Sequence, residues 1–160
     1  MSMNFAQRAT IVLSIFAAML LASCGGGGGG GGSPPPPPPP ITDVAEQGPP
    51  HNDSTPAQTT PLFSRISGSL PVSNFTSVTA YDWYRLVLSA TTTVTMTLTG
   101  PAGPDIDLFL VASDGTTGIA ESVGLTSNES ISQSLAAGTY FIVVAPFDVM
   151  VASAYTLVVQ

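Results

Sequence analysis

The side chains that could perform catalysis are few, and their spacing matches no common catalytic group. The chain has one histidine, His51, no lysine, and a single cysteine, Cys24. A Ser-His-Asp triad needs a positioned imidazole, and a zinc site needs several His or Cys ligands. A lone histidine between Pro50 and Asn52, at the edge of the folded part, supports neither, so these residue types exclude the usual hydrolase and zinc sites.

One pair of carboxylates could still act together. Asp105 and Asp107 lie two residues apart at the start of a predicted strand, so their side chains share a face and could mimic the acid pair of a glycosidase. Hydrogen bonding to the turn before the strand is the simpler role for both. We therefore predict that the protein is not an enzyme.

Cys24 is explained better by lipid chemistry than by catalysis. It closes the sequence Leu-Ala-Ser-Cys at residues 21–24, which resembles the bacterial lipobox, where a signal peptidase cuts before a diacylglycerol-bearing cysteine. Arg8 supplies the positive start, and residues 9–21 form an apolar run too short for a membrane span of about 20 residues. An uncleaved transmembrane anchor and a free or intermolecular thiol are the alternatives. We predict a lipoprotein signal peptide over residues 1–23 and lipidation, including palmitate, at Cys24.

A low-complexity linker is predicted over residues 24–45. It contains eight consecutive glycines at 25–32 and seven consecutive prolines at 34–40. Glycine runs behave as flexible coils and proline runs as extended polyproline II spacers, and neither can form a packed core. The linker should therefore separate the lipid from the folded domain.

The charge balance excludes two classes of partner. Residues 24–160 contain two arginines and ten acidic side chains. Nucleic acid and anionic lipid headgroups both attract basic surfaces, so neither should bind this domain. Membrane attachment must then come from acyl chains at Cys24. Gly25 follows the cysteine in place of the aspartate that resembles an inner-membrane retention signal, so we expect a cell-envelope location, at the outer membrane if the cell has two.

Residues 46–160 should form one all-β domain, a two-layer antiparallel β-sandwich. Short runs rich in Val, Ile, Leu, Thr and Tyr are separated by Gly, Pro, Asn and Asp, without helical periodicity. The predicted strands are Ile66–Val72, Trp83–Ser89, Thr92–Thr99, Ile106–Ala112, Ile119–Ser122, Glu129–Leu135, Thr139–Ala145 and Tyr155–Val159. Alternation predicts these inward side chains: Tyr84, Leu86, Leu88, Val94, Met96, Leu98, Ile106, Leu108 and Leu110.

Four segments in order resemble the bacterial pre-peptidase C-terminal domain. They read DWYRL at 82–86, DIDLFL at 105–110, AGTYFIVV at 137–144 and YTLVV at 155–159, preceded by the Pro-Asn-Asp-like stretch PHNDSTPAQ at 50–58. The resemblance implies a jelly-roll-like β-sandwich that is non-catalytic and usually follows the catalytic domain of a secreted peptidase. In related collagenase modules it implies substrate binding and calcium.

The same resemblance suggests a possible calcium site. Calcium takes about six to eight oxygen ligands, and the opening segment could fold back across the sheet to supply some of them. The candidate ligands are Asn52, Asp53, Asp82, Asp105 and Asp107. Gly-Pro-Pro at 48–50 replaces the acidic residue expected there. We therefore expect no cofactor, with calcium as the alternative.

Two aromatic residues are candidate ligand contacts. Trp83 alternates with the inward positions of its strand and, with Phe109, could form an outward platform for a glycan or a protein. Packing beneath a loop is the alternative for both.

Two classes of function remain. The first is a non-catalytic, lipid-anchored binding or structural module outside the cytoplasm. The second is an accessory or targeting subunit for a separately encoded exported peptidase or other hydrolase. The sequence identifies no ligand for either.

Overall fold

The computed structural model describes residues 36–47, 57–71, 81–148 and 152–160. The chain divides into two units, residues 1–38 and residues 39–160, and all described strands lie in the second. Within the described residues there are ten strands and no helix. They are β1 Thr42–Ala45, β2 Gln58–Thr60, β3 Ser64–Leu70, β4 Asp82–Leu88, β5 Thr92–Thr99, β6 Asp105–Ala112, β7 Gly118–Ser122, β8 Asn128–Leu135, β9 Gly138–Asp148 and β10 Ser153–Val159.

The strands form two five-stranded sheets that pack face to face. Sheet one has the order β1-β3-β10-β5-β8, and sheet two has the order β2-β4-β9-β6-β7. The edge pairs β1–β3 and β2–β4 are parallel, and the other pairs are antiparallel. The predicted all-β, two-layer sandwich is confirmed, with the two parallel edge pairs as an addition.

Alternating burial explains why these segments are strands. Side chains two residues apart point to one face of a strand, so an apolar residue at every second position gives one buried face. All nine predicted inward side chains are buried, and none exposes more than the 5 % of Leu88. They meet apolar residues from both sheets in one core, which includes Ile66, Leu70, Ile131, Ile142, Val144, Leu157 and Val159.

The sandwich begins earlier than the predicted boundary at Glu46. Strand β1 starts at Thr42, whose backbone N–H donates to the Phe63 carbonyl at 2.8 Å, and Arg65 pairs with Asp43 at 3.1 Å. The four residues of β1 have mostly exposed side chains and no burial alternation. Residues 42–45 therefore belong to the domain, not to the linker.

Strand β2 was also absent from the predicted set, and it links the N-terminal segment to the rest of the fold. The Gln58 side chain accepts a hydrogen bond from the Gln47 backbone N–H at 2.8 Å and donates to the Ala45 carbonyl at 3.0 Å. A buried amide thus satisfies backbone groups just after β1.

Residues 1–35 lie outside the described residues, and with them Cys24 and the predicted signal peptide. No helix in the described part of the chain has the length and apolar character needed to cross a membrane.

Candidate functional site

Asp82 belongs to a buried polar group that joins the two sheets. The Tyr155 hydroxyl, on β10 of sheet one, donates to Asp82 Oδ2 at 2.7 Å, and the Tyr84 and Tyr155 hydroxyl oxygens lie 2.5 Å apart. Since the Tyr155 proton points to Asp82, the Tyr84 hydroxyl is the donor to Tyr155. Asp82 and Tyr84 have no exposed surface and Tyr155 exposes 3 %. We call these three residues the inter-sheet cluster.

The inter-sheet cluster is suited to holding the sheets together and not to proton transfer. Burial raises the pKa of Tyr84 well above its ordinary value, and burial followed by the nearby Tyr84 and Asp82 raises the pKa of Tyr155. Both phenols therefore stay protonated near neutral pH and act as hydrogen-bond donors. A donor to a buried carboxylate offsets part of the cost of removing that charge from water.

A glycine in sheet one makes room for this cluster. Gly68 pairs with Tyr155 across β3 and β10, and a Cβ placed on Gly68 would lie 2.4 Å from both Cζ and Oη of Tyr155. The tyrosine ring thus packs directly against the Gly68 backbone. A glycine inside a strand pattern often marks such a close approach, and that signal could have identified this position.

Asp105 and Asp107 point away from the core, on the face of β6 opposite Ile106 and Leu108. Their predicted shared face agrees with this alternation, and they are 8 % and 1 % exposed. They are not displayed to solvent as a catalytic pair would be. Asp82 lies on the other face of sheet two, because it contacts Tyr155 in the core.

Of the five predicted calcium ligands, Asn52 and Asp53 lie outside the described residues, so the set as a whole stays a prediction. Asp82 contacts Tyr155 in the core, whereas Asp105 and Asp107 lie on the other face of sheet two. Among the described residues there is no group of three His, Cys, Asp or Glu side chains that could hold a metal ion. Calcium takes about six to eight oxygen ligands, so a site at Asp105 and Asp107 would need further oxygens, such as those predicted from Asn52 and Asp53.

Calcium is expected to leave the melting temperature of the protein unchanged, because Gly-Pro-Pro at 48–50 replaces the acidic residue expected before the opening segment. An ion with a Kd well below about 10 mM would raise it at that concentration through preferential binding to the folded state. Differential scanning fluorimetry of the wild type, with magnesium as the control ion, measures this. A calcium-specific rise that disappears in the Asp105→Asn, Asp107→Asn double variant would contradict the expectation.

Trp83 is not an exposed platform. It is 6 % exposed and meets the Phe141 ring edge-on, with ring centroids 5.8 Å apart and planes at 68°. Trp83, Val143 and Phe109 form one row across β4, β9 and β6. An apolar cluster on the outer face of sheet two consists of Trp83, Val111, Phe141 and Val143. The half-buried Phe109 packs against this cluster. The packing alternative fits both predicted aromatics.

A surface that the sequence analysis missed lies at the free edge of sheet two. We call residues 118–125, which comprise β7 and the start of the following loop, the β7 edge. Its exposed apolar side chains are Ile119 at 36 %, Val123 at 47 % and Leu125 at 89 %. Apolar residues in the polar stretch Ser-Val-Gly-Leu-Thr-Ser at 122–127 were the available signal.

The turn before β7 is fixed by an aspartate. Asp114 Oδ1 accepts the backbone N–H groups of Thr116 and Thr117 at 2.9 and 2.8 Å, and its Oδ2 accepts the Thr117 hydroxyl at 2.6 Å. These hydrogen bonds lower the pKa of Asp114 from 3.8 to about 2, and the bond from the Thr117 side chain has the largest effect. The carboxylate is therefore ionised, and the turn formed, at any ordinary pH.

The loop after β7 is held from the other sheet by Glu129. The Gly124 backbone N–H donates to Glu129 Oε1 at 2.9 Å, and the Ser122 hydroxyl donates to Glu129 Oε2. A Cβ on Gly124 would lie 2.5 Å from the same Oε1, so only glycine fits there without a shift. Glu129, 6 % exposed on β8, thus fixes the loop that carries Val123 and Leu125.

Together these features define a β-sandwich. Most of the carboxylates discussed above form hydrogen bonds or an ion pair within the fold. The sequence model of the bacterial pre-peptidase C-terminal domain matches residues 80–146. The chain therefore carries a domain that resembles this family, as its four sequence segments indicated, and the match is consistent with a non-catalytic module.

A solved structure of a pre-peptidase C-terminal domain has the same fold. The pre-peptidase C-terminal domain of a collagenase from Bacillus anthracis is similar with a TM-score of 0.55 and 19 % identity, over 65 % of this chain and 94 % of that domain. PliG of Aeromonas hydrophila, a periplasmic inhibitor of g-type lysozyme, matches with a TM-score of 0.38 and 19 % identity, over 76 % of this chain and 98 % of its own. A comparison with curated proteins gave no match.

Proposed function

We propose that the protein is a lipid-anchored, non-catalytic module outside the cytoplasm, which binds a partner through its β-sandwich. The observation that carries this proposal is Cys24 in the sequence Leu-Ala-Ser-Cys, followed by a glycine and proline linker and a domain that resembles the pre-peptidase C-terminal family. An acylated cysteine gives attachment, the linker gives reach, and the sandwich gives a rigid surface.

The environments of the acidic side chains support a role without catalysis. Asp82 accepts a hydrogen bond from Tyr155 inside the core, and Asp105 and Asp107 are buried on the outer face of sheet two. A general acid or base must reach the proton it transfers, and a side chain enclosed by the fold does not. Asp43 pairs with Arg65, and Asp114 and Glu129 bind backbone N–H groups next to β7.

A second candidate is an accessory subunit for a separately encoded exported peptidase. The similar solved domain is part of a collagenase, and that likeness favours this candidate. A pull-down from detergent-solubilised envelope separates the two candidates. Recovery of a peptidase supports the accessory role, and recovery of another envelope component supports the independent binding module.

The anchor is tested by Cys24→Ala. Removing the thiol should block acylation and cleavage, because both reactions depend on it, and the unprocessed precursor should leave the acylated membrane pool. Labelling with radioactive palmitate, mass spectrometry and fractionation of inner and outer membranes measure the result. Ser33→Ala, beyond the glycine run, is the matched control and should be labelled and sorted like the wild type. Processed Cys24→Ala protein in the membrane fraction would reject the anchor.

A further inference from the structure

We propose that the β7 edge docks an extended, basic segment of a partner protein, which adds to sheet two beside β7 and places apolar side chains against Val123 and Leu125. This inference rests on the proposed binding role and does not depend on the lipid anchor. The chemistry required of the partner is an exposed strand-forming segment in which Lys or Arg alternates with apolar residues.

The position of β7 in the sheet provides the first argument. It is the last strand of sheet two, and within the described residues it pairs with β6 and with no strand on its other side. The outer side of an edge strand presents backbone N–H and C=O groups that another extended chain can bind. A docked segment would therefore gain main-chain hydrogen bonds as well as side-chain contacts.

The other edge strands lack the side chains that would fix such a segment. Strand β2 has three residues, and β1 has four, with Asp43 already paired to Arg65. Strand β8 is longer, but its exposed side chains are polar: Asn128, Ser130, Ser132 and Ser134. Next to β1 the exposed apolar side chain is Ile41, at 37 %, whereas the β7 edge has three such side chains and includes Leu125 at 89 %.

The apolar side chains of the β7 edge lie where a strand partner could cover them. Ile119 lies at a β-bulge, where β7 has one residue more than β6, and Val123 directly follows the strand two residues after the exposed Glu121. Leu125 follows at 89 % exposure, far more than the other exposed apolar side chains of the described residues. Covering this side chain would remove the most exposed of these apolar surfaces from water, which makes Leu125 the expected anchor.

The β7 edge is held in shape before any partner binds. Asp114 fixes the turn that enters β7, and Glu129 binds the Gly124 N–H in the loop that leaves it. An interface that is already ordered loses less conformational entropy on association. These two carboxylates are thus positioning residues for the surface between them.

The charge of this region indicates that the docked segment is basic. The sequence from residue 86 to residue 160 contains no Lys, Arg or His, and Glu121 is exposed in β7 between the apolar positions. A basic segment is attracted to this region, whereas an acidic one is repelled. A second copy of this chain is disfavoured, because residues 24–160 carry ten acidic side chains and two arginines.

The test uses the full chain, purified in detergent, and a fluorescent peptide in which lysine alternates with valine. Fluorescence anisotropy should show saturable binding that weakens with salt. Two control peptides should bind much more weakly. In one, glutamate replaces lysine, and in the other a central proline removes a backbone donor. Hydrogen exchange of the β7 backbone should slow on binding, which places the peptide at the edge.

Matched variants locate the surface. The double variant Val123→Ala, Leu125→Ala should weaken binding about tenfold or more, since it removes the apolar anchors. Val87→Ala, at a side chain 51 % exposed on β4, should leave the affinity unchanged. Glu121→Lys should reduce binding of the lysine peptide and improve binding of the glutamate peptide.

Several results would overturn the inference. One is that the lysine peptide does not bind, or binds no better than the glutamate peptide. Another is that Val87→Ala weakens peptide binding as much as the double variant does. A third is that the protein is a dimer in analytical ultracentrifugation and that the double variant abolishes the dimer. Any of these, with palmitate labelling of Cys24 intact, leaves the lipid-anchored module standing. Loss of the anchor with peptide binding retained rejects only the membrane attachment.

Discussion

Leu108→Ala is expected to lower the free energy of unfolding by about 2–5 kcal/mol. Leu108 has no exposed surface and lies in β6, opposite Val144 of β9 and Ser122 of β7. Truncation removes buried apolar atoms and leaves a cavity that the neighbouring strands cannot fill without moving. A urea titration followed by tryptophan fluorescence of the single tryptophan, Trp83, measures the change.

Leu125→Ala is the matched control, since the chemical change is the same and the site differs. Leu125 is 89 % exposed, so its truncation should change the unfolding free energy by less than about 1 kcal/mol. Equal losses in the two variants would show that the assignment of inward and outward faces is wrong.

Gly68→Ala should destabilise the protein by about 1–3 kcal/mol, through overpacking. The new Cβ would lie 2.4 Å from the Tyr155 ring, so the ring must shift. That shift would also lengthen the hydrogen bond from Tyr155 to Asp82, leaving a buried carboxylate less well satisfied. Thermal and urea unfolding both report the loss.

Two comparisons isolate this clash. Gly118→Ala changes the same residue type in a strand where a Cβ meets nothing within 4 Å, so its effect should be near neutral or slightly stabilising. In a Tyr155→Ala background, Gly68→Ala should lose most of its cost, because the two sites are directly coupled. An equal cost in both backgrounds would contradict the proposed contact.

The core strands were predictable because burial there follows the sequence period. In β5, threonines alternate with Val94, Met96 and Leu98, and all three apolar side chains are fully buried. Strand β1 has no such signal: most of its side chains are exposed and its strand geometry comes from pairing with β3. A strand created by a distant partner leaves little trace in its own residues.

The site residues were less predictable for a related reason. Asp82 looked like a potential ligand, yet it contacts Tyr155, which is 73 residues away in the sequence. Trp83 alternates with the core positions, which left an outward platform and packing as alternatives, and it packs in a second cluster on the outer face. Local patterns give the face of a strand and cannot tell what covers that face.

The pairing of β3 with β10 has a consequence for the order of biogenesis. Ser64 at the start of β3 lies opposite Val159 at the end of β10, and β10 is the central strand between β3 and β5. Sheet one therefore cannot close while residues 153–159 are still inside a ribosome or a secretion channel. Long-range pairing of this kind also slows folding. Until β10 is available the domain stays unfolded and able to pass through a narrow channel, which is the state that the export proposed from Cys24 would require.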